Sequence, residues 1–368
     1  MAINIFFCNG VISALSACFI SEYLYKKNPR DEFILCIEQG THVLKSYYQI
    51  VDLIVEQNKH FKKIVRANVE FRVVSLRNPI KYIQSIIYYR KISKYVKSEL
   101  DEYLLGEDIV LWAPTTSRLW QFFKKRKTKL NVIEHGLGEY ISARQVKKNT
   151  LKRAVSIAVG RFLCYPELSG YNKIWLCSNA VVIEPSDKVV QINFAKEFSD
   201  YVELFWHAYK KSLPKAAQEL QSIILRITSH NGPIYFYLPS DEVRFDMQNL
   251  FISEQMKKIK IDSNPLFIIK NHPIDIDCEY WKLLEPYGEC INIQNEYNCY
   301  APIEFIAIIL GIKNIIGSAS SALYYLKSWS PEIVSYIYND YDLCMLTISS
   351  RLLKDNLRAA GLLSNPLK

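Results

Sequence analysis

Short apolar runs alternate with longer amphipathic stretches through the first third of the chain. The run Ile3–Cys8 has the length and composition of a buried strand, and Val11–Lys26 carries apolar residues at helical spacing. Between them, Asn9 and Gly10 form a turn signal. The same pattern predicts further strands at Phe33–Ile37, Phe71–Leu76, Asp108–Trp112 and Val132–Glu134, with helices at Val43–Glu56 and Ile80–Tyr103. Strands that alternate with helices are typical of parallel sheets.

A second alternating series begins after a strand predicted at Ala180–Glu184 and connecting helices between Phe198 and Ile227. Its predicted strands are Ile234–Leu238, Leu266–Ile269, Cys290–Ile293, Asn314–Ile316 and Ile333–Ile337, and its helices are Phe245–Lys260, Pro302–Leu310, the stretch from the loop at Gly317 to Leu326, and Ser349–Leu363. Two such series predict an α/β protein with two Rossmann-like domains facing across a cleft. We expect domains at 1–205 and 206–345, and a helix at 346–368 that packs back on the first domain.

Composition narrows the class of protein without choosing a ligand. The 368 residues are 49% hydrophobic and 23% charged, as in an ordinary globular protein, and the formal net charge is +9. This charge favours an anionic partner such as a nucleotide, an acidic glycan or a membrane surface. The nine cysteines include no CxxC pair, which argues against a disulfide framework or zinc site and favours a reducing cytoplasm.

The usual signals for a membrane span are missing from the sequence. No uninterrupted apolar run reaches about 18 residues, and the start lacks the basic opening of a signal peptide. Basic and apolar residues interleave between 145 and 170, which fits either a membrane-surface element or a helix packed on the sheet. We expect a cytoplasmic location, with a peripheral position on the inner face of the cytoplasmic membrane left open.

Glu134, His135 and Gly136 follow directly on a predicted strand. In open α/β sheets, ligands bind beyond the carboxyl ends of the strands, so an acid and a histidine placed there are candidates for chemistry. A loop histidine bonded to backbone and a helix-capping glutamate explain the same residues without function.

Three features of the second series suit one nucleotide. His272 precedes Pro273, which holds it in an extended turn where it can donate a hydrogen bond or a proton to a phosphate. The small residues Gly317–Ser321 open a helix whose free amides attract an anion. Glu304, in the first turn of an apolar helix, can accept hydrogen bonds from ribose hydroxyls. Each feature also has an explanation without function. His272 could be bonded to backbone, a serine of the Gly317–Ser321 loop could cap the helix, and Glu304 could interact favourably with the helix dipole.

In this order, Glu134–Gly136, His272–Pro273 and Ser320–Ser321 resemble the acidic-Gly, His-Pro and Ser-Ser motifs of bacterial GT-B sialyltransferases, in particular polysialyltransferases and lipooligosaccharide sialyltransferases. The resemblance implies a GT-B fold and a metal-independent, inverting transfer from CMP-sialic acid. It also implies that the N-terminal domain holds the acceptor and the base, and the C-terminal domain the CMP. Carried over by position, the resemblance implies that His272, Ser320 and Ser321 contact the donor phosphate and Glu304 the ribose. We also expect Pro239, Pro273, Gly317 and Ser318 on the donor side, and the loop residues Asn9, Gly10 and Gly136 on the acceptor side.

One position departs from the pattern of that family. Two consecutive acids usually precede the glycine, whereas here the second position is His135. A histidine followed by glycine also resembles the motif of CDP-glycerol glycerophosphotransferases, in which the histidine is thought to be the base. The base therefore stays open between Glu134 and His135, and we favour His135.

The expected reaction moves sialic acid, or a related nonulosonic acid, from a CMP-activated donor to a hydroxyl of a capsule or lipooligosaccharide glycan. No cofactor or metal is expected, and a lipid-linked acceptor and a homodimer are left open. CMP-Kdo, UDP-sugars and CDP-glycerol are alternative donors, and a non-catalytic nucleotide- or glycan-binding protein is the alternative class. Nucleic acid is not expected, because the basic run Lys124–Lys127 has no accompanying nucleic-acid-binding motif.

Overall fold

A computed structural model of the protein describes residues 1–40, 44–70, 79–105, 108–117, 119–123, 128–135, 171–177, 187–239, 264–271, 278–317, 321–330 and 332–337, with 249, 252, 253 and 256. These residues form two units, the first ending at Ile192 and the second beginning at Asn193. The change of unit lies before the expected boundary at 205. The predicted terminal helix at 346–368 lies outside the described residues.

The first unit is built on a seven-stranded, wholly parallel sheet with the order β3-β2-β1-β4-β5-β6-β7. Its strands are β1 (Ile3–Cys8), β2 (Glu32–Gly40), β3 (Phe61–Val69), β4 (Ile109–Ala113), β5 (Lys129–Ile133), β6 (Lys173–Leu176) and β7 (Val189–Gln191). Its described helices are α1 (Val11–Lys27), α2 (Lys45–Val55), α3 (Pro79–Glu99) and α4 (Asp101–Leu104), and Leu119–Phe123 forms a 3₁₀ turn.

The inner strand β1 is buried along its whole length because both faces of the sheet are covered. Ile5 and Phe7 pack in one cluster with Tyr89 and Val96 of α3. On the other face, Phe6 stacks on Trp112 at a centroid distance of 5.2 Å. The indole Nε1 of Trp112 donates to Asn4 Oδ1 at 2.9 Å, which satisfies the one polar side chain of the strand.

The second unit has a five-stranded parallel sheet with the order β10-β9-β8-β11-β12. Its strands are β8 (Ile234–Leu238), β9 (Leu266–Ile269), β10 (Glu289–Asn292), β11 (Asn314–Gly317) and β12 (Val334–Ile337). Its described helices are α5 (Ala195–Ser212), α6 (Pro214–Ser229), α7 (Glu296–Tyr300), α8 (Ile303–Ile309) and α9 (Ser321–Trp329), and Tyr280–Leu283 forms a 3₁₀ turn. Two parallel sheets of this kind confirm the predicted α/β class.

Helix α5 belongs to the second unit, which explains why the boundary precedes 205. Phe198 lies 4.7 Å from Trp329, and Phe205 lies 4.7 Å from Phe305, both between ring centroids. The hydroxyl of Tyr209 donates to Asn298 Oδ1 at 2.6 Å in the interior. An aromatic helix face buried in this way fixes α5 to α8 and α9 of the second unit. A boundary at 205 would cut through α5.

Three observed strands, β3, β6 and β7, are not predicted by the apolar pattern. Strand β3 carries three charged residues, Lys62, Lys63 and Arg66, and lies at one edge of its sheet. Strand β7 lies at the other edge and has only three residues. The predicted strands Phe71–Leu76 and Ala180–Glu184, the 145–170 segment, the helix Ser349–Leu363 and nearly all of the helix Phe245–Lys260 lie outside the described residues. In the part of the chain that is described, no helix is long and apolar enough to cross a membrane.

Candidate functional site

The order of the first sheet changes direction between β1 and β4, so their carboxyl ends flank a crevice of the kind that holds ligands in α/β proteins. Asn9 follows β1, and Thr116 follows β4. The amide Nδ2 of Asn9 donates to Thr116 Oγ1 at 2.8 Å across this point. Thr116 is exposed, so the hydroxyl is presented to solvent at the crevice. Asn9 was predicted on the acceptor side; Thr116 was not.

Gly10 links β1 to α1 where there is no room for a side chain. A Cβ at this position would lie 2.8 Å from the hydroxyl oxygen of Tyr47. That hydroxyl accepts a hydrogen bond from the Val11 amide at 3.1 Å, at the start of α1. Burial raises the pKa of Tyr47 to about 12, so the phenol stays neutral. The structure therefore gives Gly10 a packing role in the first turn of α1.

A buried carboxylate that was not predicted from the sequence contacts the loop after β4, close to this crevice. Glu38, in β2, is fully buried and accepts a hydrogen bond from Ser117 Oγ in the loop after β4. The pair anchors the loop that carries Thr116. An acid within the apolar strand Glu32–Gly40 is the sequence signal that would have found it, because a buried acid requires a partner.

Glu134 and His135 follow β5, as predicted, but their environments differ. Glu134 is fully buried, and its Oε2 accepts the backbone N–H of Cys177 at 2.6 Å, which ties the end of β5 to the end of β6. Burial and then the Glu134 charge raise the pKa of the Cys177 thiol. His135 is partly exposed. The Glu134 carboxylate is therefore held by backbone at the end of β6. Gly136 lies outside the described residues.

In the second unit, Lys270 and Glu304 form a buried electrostatic pair. Lys270 follows β9, and its Nζ donates to the carbonyl oxygen of Cys299 at 2.7 Å. Glu304 lies in the first turn of α8 and is 3% exposed. Lys270 is 7% exposed, so neither charge is accessible enough for solvent to screen it fully. The lysine was not assigned a role from sequence; its position directly after the apolar run Leu266–Ile269 is the signal.

Burial shifts both of these groups toward their neutral forms. It raises the pKa of Glu304 to about 7, an effect that Lys270 opposes. It lowers the pKa of Lys270 to about 8, against the influence of Cys299 and Glu304. Perturbed groups of this kind, one directly after β9 and one in the first turn of α8, are candidates for ligand contacts. Near neutral pH Glu304 is therefore divided between the carboxylate and the protonated acid, and either form can accept a hydrogen bond from a hydroxyl.

The second sheet changes direction between β8 and β11. Pro239 and Gly317 lie at the carboxyl ends of these strands, and Gly317 is paired with Leu238. A Cβ on Gly317 would lie 3.1 Å from the Cβ of Leu238, which is tighter than ordinary contact. The predicted donor residues Pro239, Glu304 and Gly317 are thus all found near this edge. His272, Pro273, Ser318 and Ser320 lie outside the described residues, as does the side chain of Ser321 at the start of α9.

Among the described side chains, no group of three or more His, Cys, Asp or Glu residues is placed to hold a metal ion. The polar groups at the strand ends are suited instead to hydrogen bonding and proton transfer. The expected independence from metal stays a prediction.

Several solved structures share this fold across nearly the whole chain. A sialyltransferase from Photobacterium damselae, residues 113–497 corresponding to its GT-B domain, matches with a TM-score of 0.50 and 12% identity, covering 98% of this chain and 97% of that chain. A second structure of the sialyltransferase from this source gives 0.51 and 11%, covering 98% and 80%. Medicago truncatula UGT71G1 complexed with UDP-glucose gives 0.52 and 10%, covering 97% and 82%.

These matches establish the fold, which is GT-B, as the sequence predicts. No protein-family model matches the chain, and no curated protein sequence matches it significantly. The fold is shared by a sialyltransferase and by a protein bound to UDP-glucose, so it leaves the donor open.

Proposed function

We propose that this protein is an inverting glycosyltransferase that moves sialic acid, or a related nonulosonic acid, from a CMP-activated donor to a hydroxyl of a bacterial surface glycan, in a capsule or lipooligosaccharide. The observation that carries the proposal is the placement of the motif residues at carboxyl ends of parallel strands. Glu134 and His135 directly follow β5 in the first unit, and Gly317 ends β11 in the second. The choice of CMP rests on the resemblance of the motifs to those of bacterial sialyltransferases.

In the proposed mechanism, His135 accepts the proton of the acceptor hydroxyl. Its partial exposure supports this role, whereas Glu134 is buried and holds the Cys177 amide. The acceptor oxygen bonds to the anomeric carbon as the bond from that carbon to the CMP phosphate oxygen breaks, and the configuration inverts. Bonding and cleavage pass through an oxocarbenium-like state, so a base that is aimed at the hydroxyl lowers the barrier.

The departing CMP carries the negative charge of the bond that breaks. We assign its stabilisation to His272, Ser320 and Ser321 by the resemblance, since donors aimed at developing charge are usually the largest catalytic contribution. Glu304 is assigned to the ribose hydroxyls. Its neighbour Lys270 is a positioning residue, because its bond to the Cys299 carbonyl holds the segment that leads into α8. No step requires a metal or a cofactor.

Alternative donors follow from the His135-Gly136 pair, which also resembles CDP-glycerol transferases, and from the breadth of the GT-B fold. The deciding experiment incubates the purified chain with CMP-sialic acid, CMP-Kdo, UDP-sugars and CDP-glycerol, and measures nucleotide release. Among these donors, we expect nucleotide release only from CMP-sialic acid. The release should be slow in the absence of an acceptor, through hydrolysis, and faster when a glycan acceptor is added. Release from another donor would reassign the substrate, and release from none would favour a non-catalytic binding protein.

The donor residues can be tested separately from the chemistry. Ser320→Ala with Ser321→Ala should weaken CMP binding by about 1 to 3 kcal/mol, the usual range for hydrogen bonds to a charged group. His272→Ala should instead lower turnover by roughly 100-fold with CMP binding less affected. Isothermal titration calorimetry and nucleotide release distinguish the two. Unchanged CMP affinity in the serine variant would leave these serines as helix caps.

A further inference from the structure

The outward side of α3 exposes apolar and basic residues together. We call Ile83, Ile87, Arg90, Lys91, Lys94 and Tyr95 the α3 face. Ile83, Ile87 and Tyr95 are 56%, 62% and 50% exposed, and the three cations are exposed as well. At 3.6 residues per turn, the six positions span an arc of about 140°. They therefore form one continuous strip along the helix.

The opposite side of α3 already supplies what folding needs. Tyr89, Val96 and the following Leu100 are buried in the core cluster of the first unit. Lys97 turns inward over the Phe123 ring, at 5.4 Å from its centroid. Burial of one face is enough to hold a surface helix on its sheet. The apolar residues of the α3 face are therefore not needed for this packing.

Helix α5 shows what an ordinary solvent-facing side looks like in the same chain. Its exposed side has one large apolar residue, Leu204, and combines Asp200 and Glu203 with Lys210 and Lys211. The α3 face has three large apolar residues, and no acid is exposed on α3 between 83 and 98. With respect to the described residues, Arg90, Lys91 and Lys94 form no ion pair. The strip is thus cationic and apolar at once, in contrast to α5.

We propose that the α3 face docks the protein on an anionic phospholipid surface. Interfacial helices combine apolar side chains with flanking Lys and Arg, because the apolar groups enter the headgroup region while the cations meet anionic lipid. Helix α3 is about 31 Å long, from its 21 residues, and would lie along the surface. A two-fold contact with a second copy is disfavoured, because it would bring like charges on the two faces together.

This docking surface lies outside the groups assigned to transfer and does not depend on the donor. If the acceptor is linked to lipid, the α3 face is the part of the enzyme that would contact the membrane. Binding to vesicles can therefore be measured without any nucleotide sugar. A failed donor assay and a failed vesicle assay would be separate results.

The test is sedimentation of the full chain with vesicles of phosphatidylcholine alone, or of phosphatidylcholine mixed with phosphatidylglycerol. Each Lys or Arg near an anionic surface strengthens binding roughly fivefold. We expect binding only to the anionic vesicles, at least about tenfold weaker for Lys91→Glu/Lys94→Glu and severalfold weaker for Ile83→Ser/Ile87→Ser. The matched control is Lys210→Glu/Lys211→Glu on α5, which makes the same change in net charge and should bind within about twofold of the unmodified chain.

Three outcomes would overturn the proposal. The unmodified chain could fail to bind anionic vesicles. Alternatively, the α3 and α5 charge reversals could weaken binding equally, which would attribute the binding to the overall net charge of +9 and not to the α3 face. Light scattering could instead show a dimer that the α3 substitutions dissociate, making the α3 face a contact between copies. Because all substituted side chains are exposed, circular dichroism should show unchanged folding, and the isoleucine pair tests the surface without altering charge.

Discussion

At the scale of single residues, the contrast between Glu134 and His135 assigns different work to two neighbours. The carboxylate is fully buried and occupied by the Cys177 amide, whereas the imidazole is partly exposed. Successive residues of an extended chain point to opposite sides, so Glu134 and His135 are not expected to reach the same acceptor proton. The acid is therefore a positioning residue for the end of β5, and the histidine is the candidate base.

The first prediction follows from this division. His135→Ala should lower glycosyl transfer by roughly 100-fold or more while CMP binding is kept. Glu134→Gln should retain part of the activity, because its amide oxygen can still accept the Cys177 N–H. Transfer rates and CMP calorimetry on both variants check this. A normal rate in His135→Ala beside an inactive Glu134→Gln would make the carboxylate the base.

The second prediction concerns Glu304, whose pKa is raised to about 7 by burial. A carboxyl that binds its proton more tightly when folded stabilises the fold fully below its unfolded pKa of about 4.5, and this contribution is lost as the pH rises through about 7. The total change is roughly 3 kcal/mol at most. Lys270 has a pKa of about 8, so it stays largely charged up to about pH 7. Its positive charge favours the ionised form of Glu304 and therefore reduces this loss of stability.

Unfolding of the unmodified chain and of Glu304→Gln at pH 5 and pH 8 tests that sign. The unmodified chain should lose stability relative to the variant between these two values, because only its side chain must ionise in the interior. Parallel pH profiles for the two proteins would show that Glu304 ionises freely and that its site is more hydrated than its burial indicates.

At the scale of elements, the connection from β1 to α1 depends on the absence of a side chain at Gly10. Its φ of −168° is open to any residue, so the constraint is the Tyr47 hydroxyl and not the backbone. We predict that Gly10→Ala destabilises the protein by about 1 to 3 kcal/mol, the usual cost of overpacking. Tyr47→Phe alone should cost about 1 kcal/mol, because the Val11 amide loses its acceptor.

A double-mutant cycle separates this contact from other effects of the two substitutions. Gly10→Ala/Tyr47→Phe should be less destabilised than the sum of the single variants, since removal of the hydroxyl relieves the clash. Urea unfolding measures all four proteins. Strict additivity would mean that the Tyr47 side chain moves aside without cost, and that Gly10 is not required by this contact.

The strands show which elements can be predicted from the sequence alone. β1, β8 and β9 have the predicted bounds because a central strand of a parallel sheet is continuously apolar. Strand β3 was missed because Lys62 and Arg66 belong to an edge, where charge is tolerated. Order in the sheet is set by tertiary pairing, which local pattern does not encode.

The candidate site was predictable to the same degree and for a related reason. Residues that end apolar strands, such as Glu134 and Gly317, were found because their position follows from the strand itself. Lys270 and Glu38 were missed because a polar residue beside a strand is ordinarily exposed, and only packing shows that these two are buried. The hydrogen bond from Asn9 to Thr116 joins residues 107 positions apart. Local sequence patterns do not show that two such distant residues are in contact.

At the scale of the whole molecule, two units with separate sheets predict separate responses to ligand. If CMP binds in the second unit, it should slow amide exchange there by stabilising the folded state by RT ln(1 + [L]/Kd). At 100 times the dissociation constant, the reduction is about 100-fold for amides that exchange through opening linked to release of CMP. The ends of β9 and β11 and the first turn of α8 are where we expect it.

Hydrogen–deuterium exchange with and without CMP tests directly whether the second unit binds the donor. Peptides that contain Glu304 or Gly317 should be protected, whereas those around Asn9, Thr116 and His135 in the first unit should exchange as before. Glu304→Ala serves as the matched control, because it should reduce the protection at a fixed CMP concentration while leaving the exchange of the free protein outside α8 unchanged. Protection confined to the first unit would move the nucleotide site to the crevice between β1 and β4, and the assignment of donor and acceptor units would then be reversed.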